Sequence, residues 1–235
     1  MTTANTIGDY SFLGAPGRPY SGGVLADSGF DLVHVTFEHA MPLAAGLDAA
    51  VKHVIAANRP PLSIAGFELR IPAPLTADGF EKFNRTYIAK LQEIGLEVEQ
   101  TIPTARTNVA TSLSPVTEAS VHGFTYSVPG HSERHAFVMS GVAEEAPADV
   151  PTMLDSIMTS LSSRMSELGA SWEDATVIQL YGVDEIQQPV VDRVLRRVGG
   201  AAARGIHWFP SLPPIQGLRL EIDVRSAGTE VFASA

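Results

Sequence analysis

Apolar and polar residues alternate along this chain with two different periods, and the period changes from one segment to the next. Short apolar runs rich in β-branched residues predict strands, and they lie at 30–37, 62–71, 121–128, 136–142, 174–182 and 218–224. Apolar residues spaced three and four apart predict helices, and they lie at 43–57, 78–95, 149–169 and 186–198. Strands interleaved with helices favour an α+β fold with mixed sheets and with helices on one face of each sheet.

The same order of elements occurs twice. Each half of the chain reads as strand, helix, strand and helix, with an arginine among small residues, Arg106 in the first half and Arg204 in the second. A guanidinium is always charged, and its planar fork of donors fits a carboxylate. The repeat predicts an N-terminal arm at 1–17 and two domains, 18–118 and 119–235, that hold small organic anions.

Composition narrows the function classes. The chain has 235 residues and no cysteine, which excludes disulfides and thiolate metal sites and is typical of a cytoplasmic protein. The net charge of −10 opposes binding to nucleic acid. No apolar run approaches the roughly 20 residues of a membrane helix, and the N-terminus lacks a signal-peptide pattern. No HExxH pattern or tight His/Asp cluster is present, so no metal is expected.

Several short stretches resemble the YjgF/RidA family in their order and spacing. In the second half they are FVMSG at 137–141, LGASWED at 168–174, AAR at 202–204 and LEI at 220–222. In the first half they are PYS at 19–21, FNRTY at 83–87 and TARTNV at 104–109. The chain is similar to two copies of this family's domain, the first more diverged than the second.

This resemblance implies two chorismate-mutase-like domains in tandem, each a mixed sheet with two helices packed on one face. It also implies a homo-oligomer, a trimer of tandem chains, with ligand clefts between neighbouring domains. Members of the family hydrolyse enamines and imines derived from amino acids to keto acids and ammonia, without a cofactor. The expected ligand is therefore a small metabolite that bears a carboxylate.

The resemblance also implies roles for individual residues of the second half. Arg204 is expected to clamp the substrate carboxylate and Glu221 to position the attacking water, although Glu221 is also compatible with an exposed position on an alternating strand. The pocket residues expected to contact the reacting group are Tyr126, Ser127 and Ser140. His207 is a candidate proton donor to the leaving amine, or a loop residue packed beside Trp208.

In the first half, the family's pocket positions correspond to Tyr20, Asn84 and Arg106. The position of the family glutamate falls near His122, with Glu118 as a near neighbour, so the resemblance does not identify the acid of this copy. The second half departs from the family in another way, because its second helix lacks the asparagine and reads VVDRVLRR at 190–197. The substrate class is therefore open even where the fold resemblance holds.

Three functions follow from these residues. The first is hydrolytic deamination of a small carboxylated enamine or imine, of the 2-iminoacid or 2-aminomuconate type. The second is a non-catalytic metabolite-binding or assembly module, favoured by the missing asparagine and the bulky loop at Trp208. The third is a hydrolase of another small carboxylic acid, as among the chorismate-cleaving relatives with paired domains.

Overall fold

The computed structural model describes residues 2–111, 116–142 and 149–234, and in it the chain forms two mixed sheets. Strands are numbered in chain order. The six-stranded sheet has the spatial order β11 (Ser211–Leu212), β6 (Ala105–Thr111), β5 (Ile64–Ile71), β7 (Ser120–Pro129), β4 (Phe30–Pro42) and β13 (Thr229–Ala233). The seven-stranded sheet has the order β1 (Thr2–Asn5), β2 (Tyr10–Leu13), β3 (Val24–Ala26), β8 (Phe137–Val142), β12 (Glu221–Ser226), β9 (Val177–Tyr181) and β10 (His207–Phe209).

Helices cover the outer face of each sheet. The six-stranded sheet carries α1 (Leu43–Ala56) and α2 (Ala77–Glu93), and the seven-stranded sheet carries α3 (Val150–Leu168). The short helix α4 (Gln187–Val190) continues into a π-helical turn at Val191–Leu195. Within the described residues, none of the helices combines the length and the apolar character needed to cross a membrane.

The helix α3 shows how local sequence sets these elements. Asp149 caps it by accepting a hydrogen bond from the Thr152 backbone N–H at 2.8 Å. Gly169 ends it with φ of 86°, a left-handed conformation that glycine adopts without a steric penalty. Its apolar face, including Ile157 and Leu161, is fully buried against the seven-stranded sheet. Both ends of this predicted helix are therefore confirmed.

The inner faces of the two sheets are polar. In β12 the residues Ile222 and Val224 join the core under α3, so Glu221, Asp223 and Arg225 point to the opposite face. That face meets the other sheet, because the Thr107 hydroxyl of β6 donates to Asp223 at 2.8 Å. The molecule is thus layered as helix, sheet, sheet and helix, with a buried polar layer at its centre.

The predicted fold class, two chorismate-mutase-like domains in tandem, is wrong, because each sheet takes strands from both halves of the chain. The N-terminal strands β1 to β3 extend the seven-stranded sheet through the pairing of β3 with β8. The late strands β11 and β13 pair with β6 and β4 at the two edges of the six-stranded sheet. The segments 18–118 and 119–235 therefore do not correspond to separate sheets.

Three local features also differ from what the pattern predicts. The predicted strands at 121–128 and 136–142 are consecutive along the chain, but β7 and β8 lie in different sheets. The buried strand β6 lies at Ala105–Thr111, where the pattern predicts no strand. The predicted arm contains the strands β1 and β2, and its residues Tyr10 and Phe12 are fully buried.

Candidate active site between the sheets

Two strands that each carry an acid and an arginine, here called the acid–arginine strands, face each other at the centre of the polar layer. Glu68 and Arg70 lie on β5, and Asp223 and Arg225 lie opposite them on β12. The Glu68 Oε1 atom is 3.2 Å from Arg225 Nη1, and its Oε2 atom is 3.2 Å from Arg70 Nη2. Each of these three side chains is less than a tenth exposed. One carboxylate therefore holds two buried guanidinium groups, one from each sheet.

The charges around Glu68 determine its ionisation. Burial alone would raise the pKa of Glu68, but His34, Arg225 and Arg70 together lower it. The Nε2 atom of His34 lies 3.4 Å from Glu68 Oε1. Burial and the Arg225 charge lower the pKa of His34 to about 4, so its ring is neutral near pH 7. At that pH the two arginines keep Glu68 ionised.

Asp223 is a second buried acid in this layer, 3% exposed. Its Oδ2 atom accepts hydrogen bonds from the Thr107 hydroxyl at 2.8 Å and the Tyr181 hydroxyl at 3.0 Å. Its Oδ1 atom is buried and has no hydrogen-bond partner. Burial and the Glu68 charge raise the pKa of Asp223, and Arg225 opposes them. Asp223 is thus less acidic than an ordinary aspartic acid.

Glu221 is the third buried acid, 5% exposed, two residues before Asp223 on the same face of β12. Burial and the Asp223 charge raise the pKa of Glu221 to about 8, against the Asn108 backbone N–H and the charges of Arg106 and Arg70. A carboxyl group with this pKa is mostly protonated at neutral pH. It can therefore donate a proton to a bound molecule, which an ordinary glutamate cannot do.

Arg106 on β6 is a buried cation, 4% exposed, in an aromatic enclosure. Its guanidinium carbon lies 4.5–5.8 Å from the centroids of four rings, those of Tyr20, Tyr87, Phe80 and Phe83. Its Nη1 atom donates to Asn84 Oδ1 at 2.9 Å, and its Nε atom has no hydrogen-bond partner. Within the described residues no ion pair joins Arg106 to a carboxylate, so its charge is available to an incoming anion.

One cavity lies among these groups, and a larger one lies beside α2. The first, of about 10 Å³, lies between the sheets and is lined by Thr107, Ser140, Asp223, Arg225 and other inward residues. That volume is close to what a single water molecule needs. The second, of about 340 Å³, is lined by Arg18 and by Ile88 and Gln92 of α2, among others. The helix α2 therefore supplies residues both to this larger cavity and to the aromatic enclosure of Arg106.

Several predicted site residues come together in this region. Arg106 contacts both Tyr20, across whose ring its guanidinium lies, and Asn84, to which it donates a hydrogen bond. The Ser140 hydroxyl donates to the Arg106 carbonyl oxygen at 2.7 Å. His122 is half-buried beside the acid–arginine strands, where burial and the Arg70 charge lower its pKa. Together with Glu221, residues predicted separately from the two halves form one cluster.

The other predicted site residues lie elsewhere. Arg204 is exposed on a 3-10 turn at Gly199–Arg204, where its Nη1 atom donates to the Ala175 carbonyl oxygen at 3.1 Å. His207 is exposed on the edge strand β10. Tyr126 packs among the apolar residues under α1, and the Ser127 hydroxyl donates to the Gly8 carbonyl oxygen. None of the four lines the cavity between the sheets.

Sequence reasoning missed the acid–arginine strands themselves. Their shared signal is an acid, an apolar residue and an arginine in alternation, as ELR in 68–70 and DVR in 223–225. Such alternation usually marks a strand with one solvated face. Here the polar face of each strand meets the polar face of another sheet, which the alternation alone cannot distinguish from water.

The protein is a two-sheet α+β protein whose central layer contains the protonated acid Glu221 and the buried Arg106, which forms no ion pair with a carboxylate among the described residues. These two groups suit acid–base chemistry on a small organic anion. The chain belongs to the 2-aminomuconate deaminase CnbZ family, whose sequence model matches residues 2–231. It is 33% identical over 242 residues to the 2-amino-5-chloromuconate deaminase of Comamonas testosteroni, with 95% of each chain covered.

A solved structure of cyanuric acid hydrolase is a more distant neighbour. It aligns with 86% of this chain and 69% of its own, at 11% identity and a TM-score of 0.41, which is too low to define a shared fold. The expectation of a deaminase family is thus confirmed. Membership of the YjgF/RidA family is not supported, since the family that matches the chain is the 2-aminomuconate deaminase family.

Proposed function

We propose that this protein is a hydrolytic deaminase of a 2-aminomuconate-type substrate, an enamine that carries two carboxylates. The family and the curated relative both support this substrate class. The observation that carries the proposal is the buried Glu221, protonated near pH 7, within electrostatic reach of Arg106, whose buried Nε atom has no hydrogen-bond partner. A proton donor beside an anion-binding cation is the minimum that such a reaction needs.

The reaction proceeds in three balanced steps. The enamine takes a proton from Glu221 on carbon, which converts the C–NH₂ group to an iminium. Water adds to the iminium carbon and releases one proton, giving a carbinolamine. The nitrogen then takes a proton and leaves as ammonia, while the hydroxyl group loses its proton and becomes the keto oxygen. The sum is enamine plus water to 2-oxo acid plus ammonia, with Glu221 protonated again.

Charge in the buried layer supports an anionic substrate. Arg70 and Arg225 are paired with Glu68 and Glu230, whereas no ion pair joins Arg106 to a carboxylate in the part of the chain that the structure describes. The charges of Arg106 and Arg70 both lower the pKa of Glu221. In this proposal Arg106 holds one substrate carboxylate. The clamp at Arg204 that the family resemblance implied stays a separate prediction.

Access is through the half-buried aromatic side chains. The cavity between the sheets holds only about a water molecule, whereas Tyr20, Phe80 and Phe83 are all half-buried over Arg106. Displacement of these rings exposes the Arg106 guanidinium to solvent on the α2 side. The proposal therefore includes a movement of Tyr20 or of the N-terminal half of α2 when the substrate binds.

The test is ammonia release from freshly generated 2-aminomuconate, followed together with the loss of its ultraviolet absorbance. Wild type is expected to accelerate both, and to act poorly on an enamine with a single carboxylate. Glu221→Gln is expected to lower kcat by about 10²–10⁴-fold, the usual contribution of a general acid. Glu185→Gln, which changes an exposed glutamate, is the matched control. Ammonia release at the uncatalysed rate in wild type would exclude the proposed activity.

A further inference from the structure

The buried carboxyl of Asp223 has one anchored oxygen and one unused oxygen. Thr107 and Tyr181 both donate to Oδ2, from β6 of one sheet and β9 of the other. The Oδ1 atom is buried without a partner, although a buried carboxylate oxygen normally accepts a hydrogen bond. Anchoring at Oδ2 from two directions fixes the carboxyl plane and leaves Oδ1 as the acceptor for something bound.

The cavity next to Asp223 matches a single water molecule in size and polarity. Its volume of about 10 Å³ is close to one water-sized sphere. Its polar lining includes Ser140, Thr107 and Arg225 together with Asp223. A buried water needs two to four polar partners, and the lining supplies them.

The spacing of Asp223 and Glu221 suits two different proton-transfer roles. Residues two apart on a strand share one face and lie roughly 7 Å apart. In hydrolases that use one carboxyl as acid and another as base, a comparable separation leaves room for the attacking water. If one carboxyl group both protonated the substrate and activated water, the site would not need a second buried acid.

We propose that Asp223 is the general base of this site, taking a proton from a water molecule held in the cavity between the sheets, while Glu221 is the acid. This assignment rests on the proposed deaminase function. As the water oxygen bonds to the iminium carbon, the C=N electron pair moves to nitrogen and the water proton moves to Asp223 Oδ1. Asp223 returns that proton to the departing nitrogen, and the carbinolamine hydroxyl returns one to Glu221.

The roles predict the shape of the pH profile. Activity needs ionised Asp223, which sets the acid limb, and protonated Glu221, which sets the alkaline limb near the Glu221 pKa of about 8. The titratable and charged groups that act on Asp223 from the surrounding strands are Glu68, Arg70, Tyr181, Glu221 and Arg225. His34 and Arg106 line the same cavity as Asp223, and Glu230 is paired with Arg225. The Thr107 hydroxyl is uncharged, so its removal changes none of these charges.

The test compares pH profiles of kcat/KM for wild type, Thr107→Val and Asp223→Asn on 2-aminomuconate. The Thr107 hydroxyl stabilises ionised Asp223 and lowers its pKa, so Thr107→Val is expected to move the acid limb up by about one pH unit. The alkaline limb should stay in place. Thr159→Val removes an exposed hydroxyl that donates to the backbone carbonyl oxygen of Asp155 on α3 and should move neither limb.

Asp223→Asn is expected to lower kcat by at least about 100-fold while ammonia remains the product. A folded Asp223→Asn protein that retains kcat within about threefold would overturn the role of Asp223 and leave the deaminase function intact. If Asp223→Asn does not fold, the pH profile of Thr107→Val decides instead: an acid limb at the same pH as in wild type overturns the role of Asp223. Wild type without ammonia release would overturn the deaminase function as well, so the two failures are distinguishable.

Discussion

Replacing Glu221 with glutamine is expected to stabilise the protein increasingly as the pH rises. The pKa of Glu221 is raised from 4.5 to about 8 by burial and by the Asp223 charge. In the unfolded chain this group loses its proton near its ordinary pKa, but in the folded protein it keeps the proton until about pH 8. The contribution of Glu221 to stability is therefore fully present below about pH 4.5 and lost as the pH rises through about 8.

The size of the effect follows from that pKa. Each unit of pKa difference corresponds to about 1.4 kcal/mol, so the linkage contribution of Glu221 falls by about 4 kcal/mol between about pH 5 and about pH 9. Glutamine keeps an acceptor for the Asn108 backbone N–H and does not titrate. The free energy of unfolding of Glu221→Gln should therefore exceed that of wild type by a margin that grows by this amount.

Urea unfolding followed by circular dichroism at several pH values measures this difference directly. Glu185→Gln, at an exposed position, controls for the general loss of one acid. The other titrating groups are common to wild type and variant, so their effects largely cancel in the comparison. A difference between Glu221→Gln and wild type that stays constant from pH 5 to pH 9 would refute the raised pKa of Glu221.

Two further substitutions test the surrounding layer. Arg106→Lys keeps the charge but loses the planar stacking and the fork of donors, so KM for the dicarboxylate should rise about 10- to 100-fold. The control is Arg85→Lys, on the exposed face of α2, which should leave KM unchanged. Equal KM values in the two variants would argue against a carboxylate at Arg106. Glu68→Gln removes the carboxylate shared by Arg70 and Arg225 and should cost about 3–5 kcal/mol of unfolding free energy, whereas a loss below about 1 kcal/mol would mean that the ion pairs contribute little.

The sequence predicted single elements more reliably than their partners. The capping aspartate Asp149 and the terminating Gly169 set the ends of α3 through contacts within a few residues, and such local contacts are readable from sequence. Strand pairing depends on contacts between distant segments. Nothing near β3 or β13 in the sequence indicates that β3 pairs with β8 and β13 with β4, so a repeated order of elements does not determine how the strands assemble into sheets.

The candidate site was predicted in part for the same reason. Arg106 and Asn84 were selected by their local motifs and lie 2.9 Å apart between Nη1 and Oδ1. Glu221 was selected on a strand that alternates polar and apolar residues, and a solvated position was equally compatible with that pattern. The structure buries Glu221 because a second polar sheet face covers it, and this arrangement of layers also explains why Glu68 and Asp223 were missed.

The most direct test of the active site between the sheets is a side-by-side measurement of kcat/KM on 2-aminomuconate for Glu221→Gln and Arg204→Ala. Glu221 is buried on the same face of β12 as Asp223, which lines the cavity between the sheets, whereas Arg204 is exposed on a 3-10 turn. We expect Glu221→Gln to lose at least about 100-fold and Arg204→Ala to stay within about threefold of wild type. Full activity of Glu221→Gln with loss of activity in Arg204→Ala would contradict the account and would place the substrate carboxylate at Arg204.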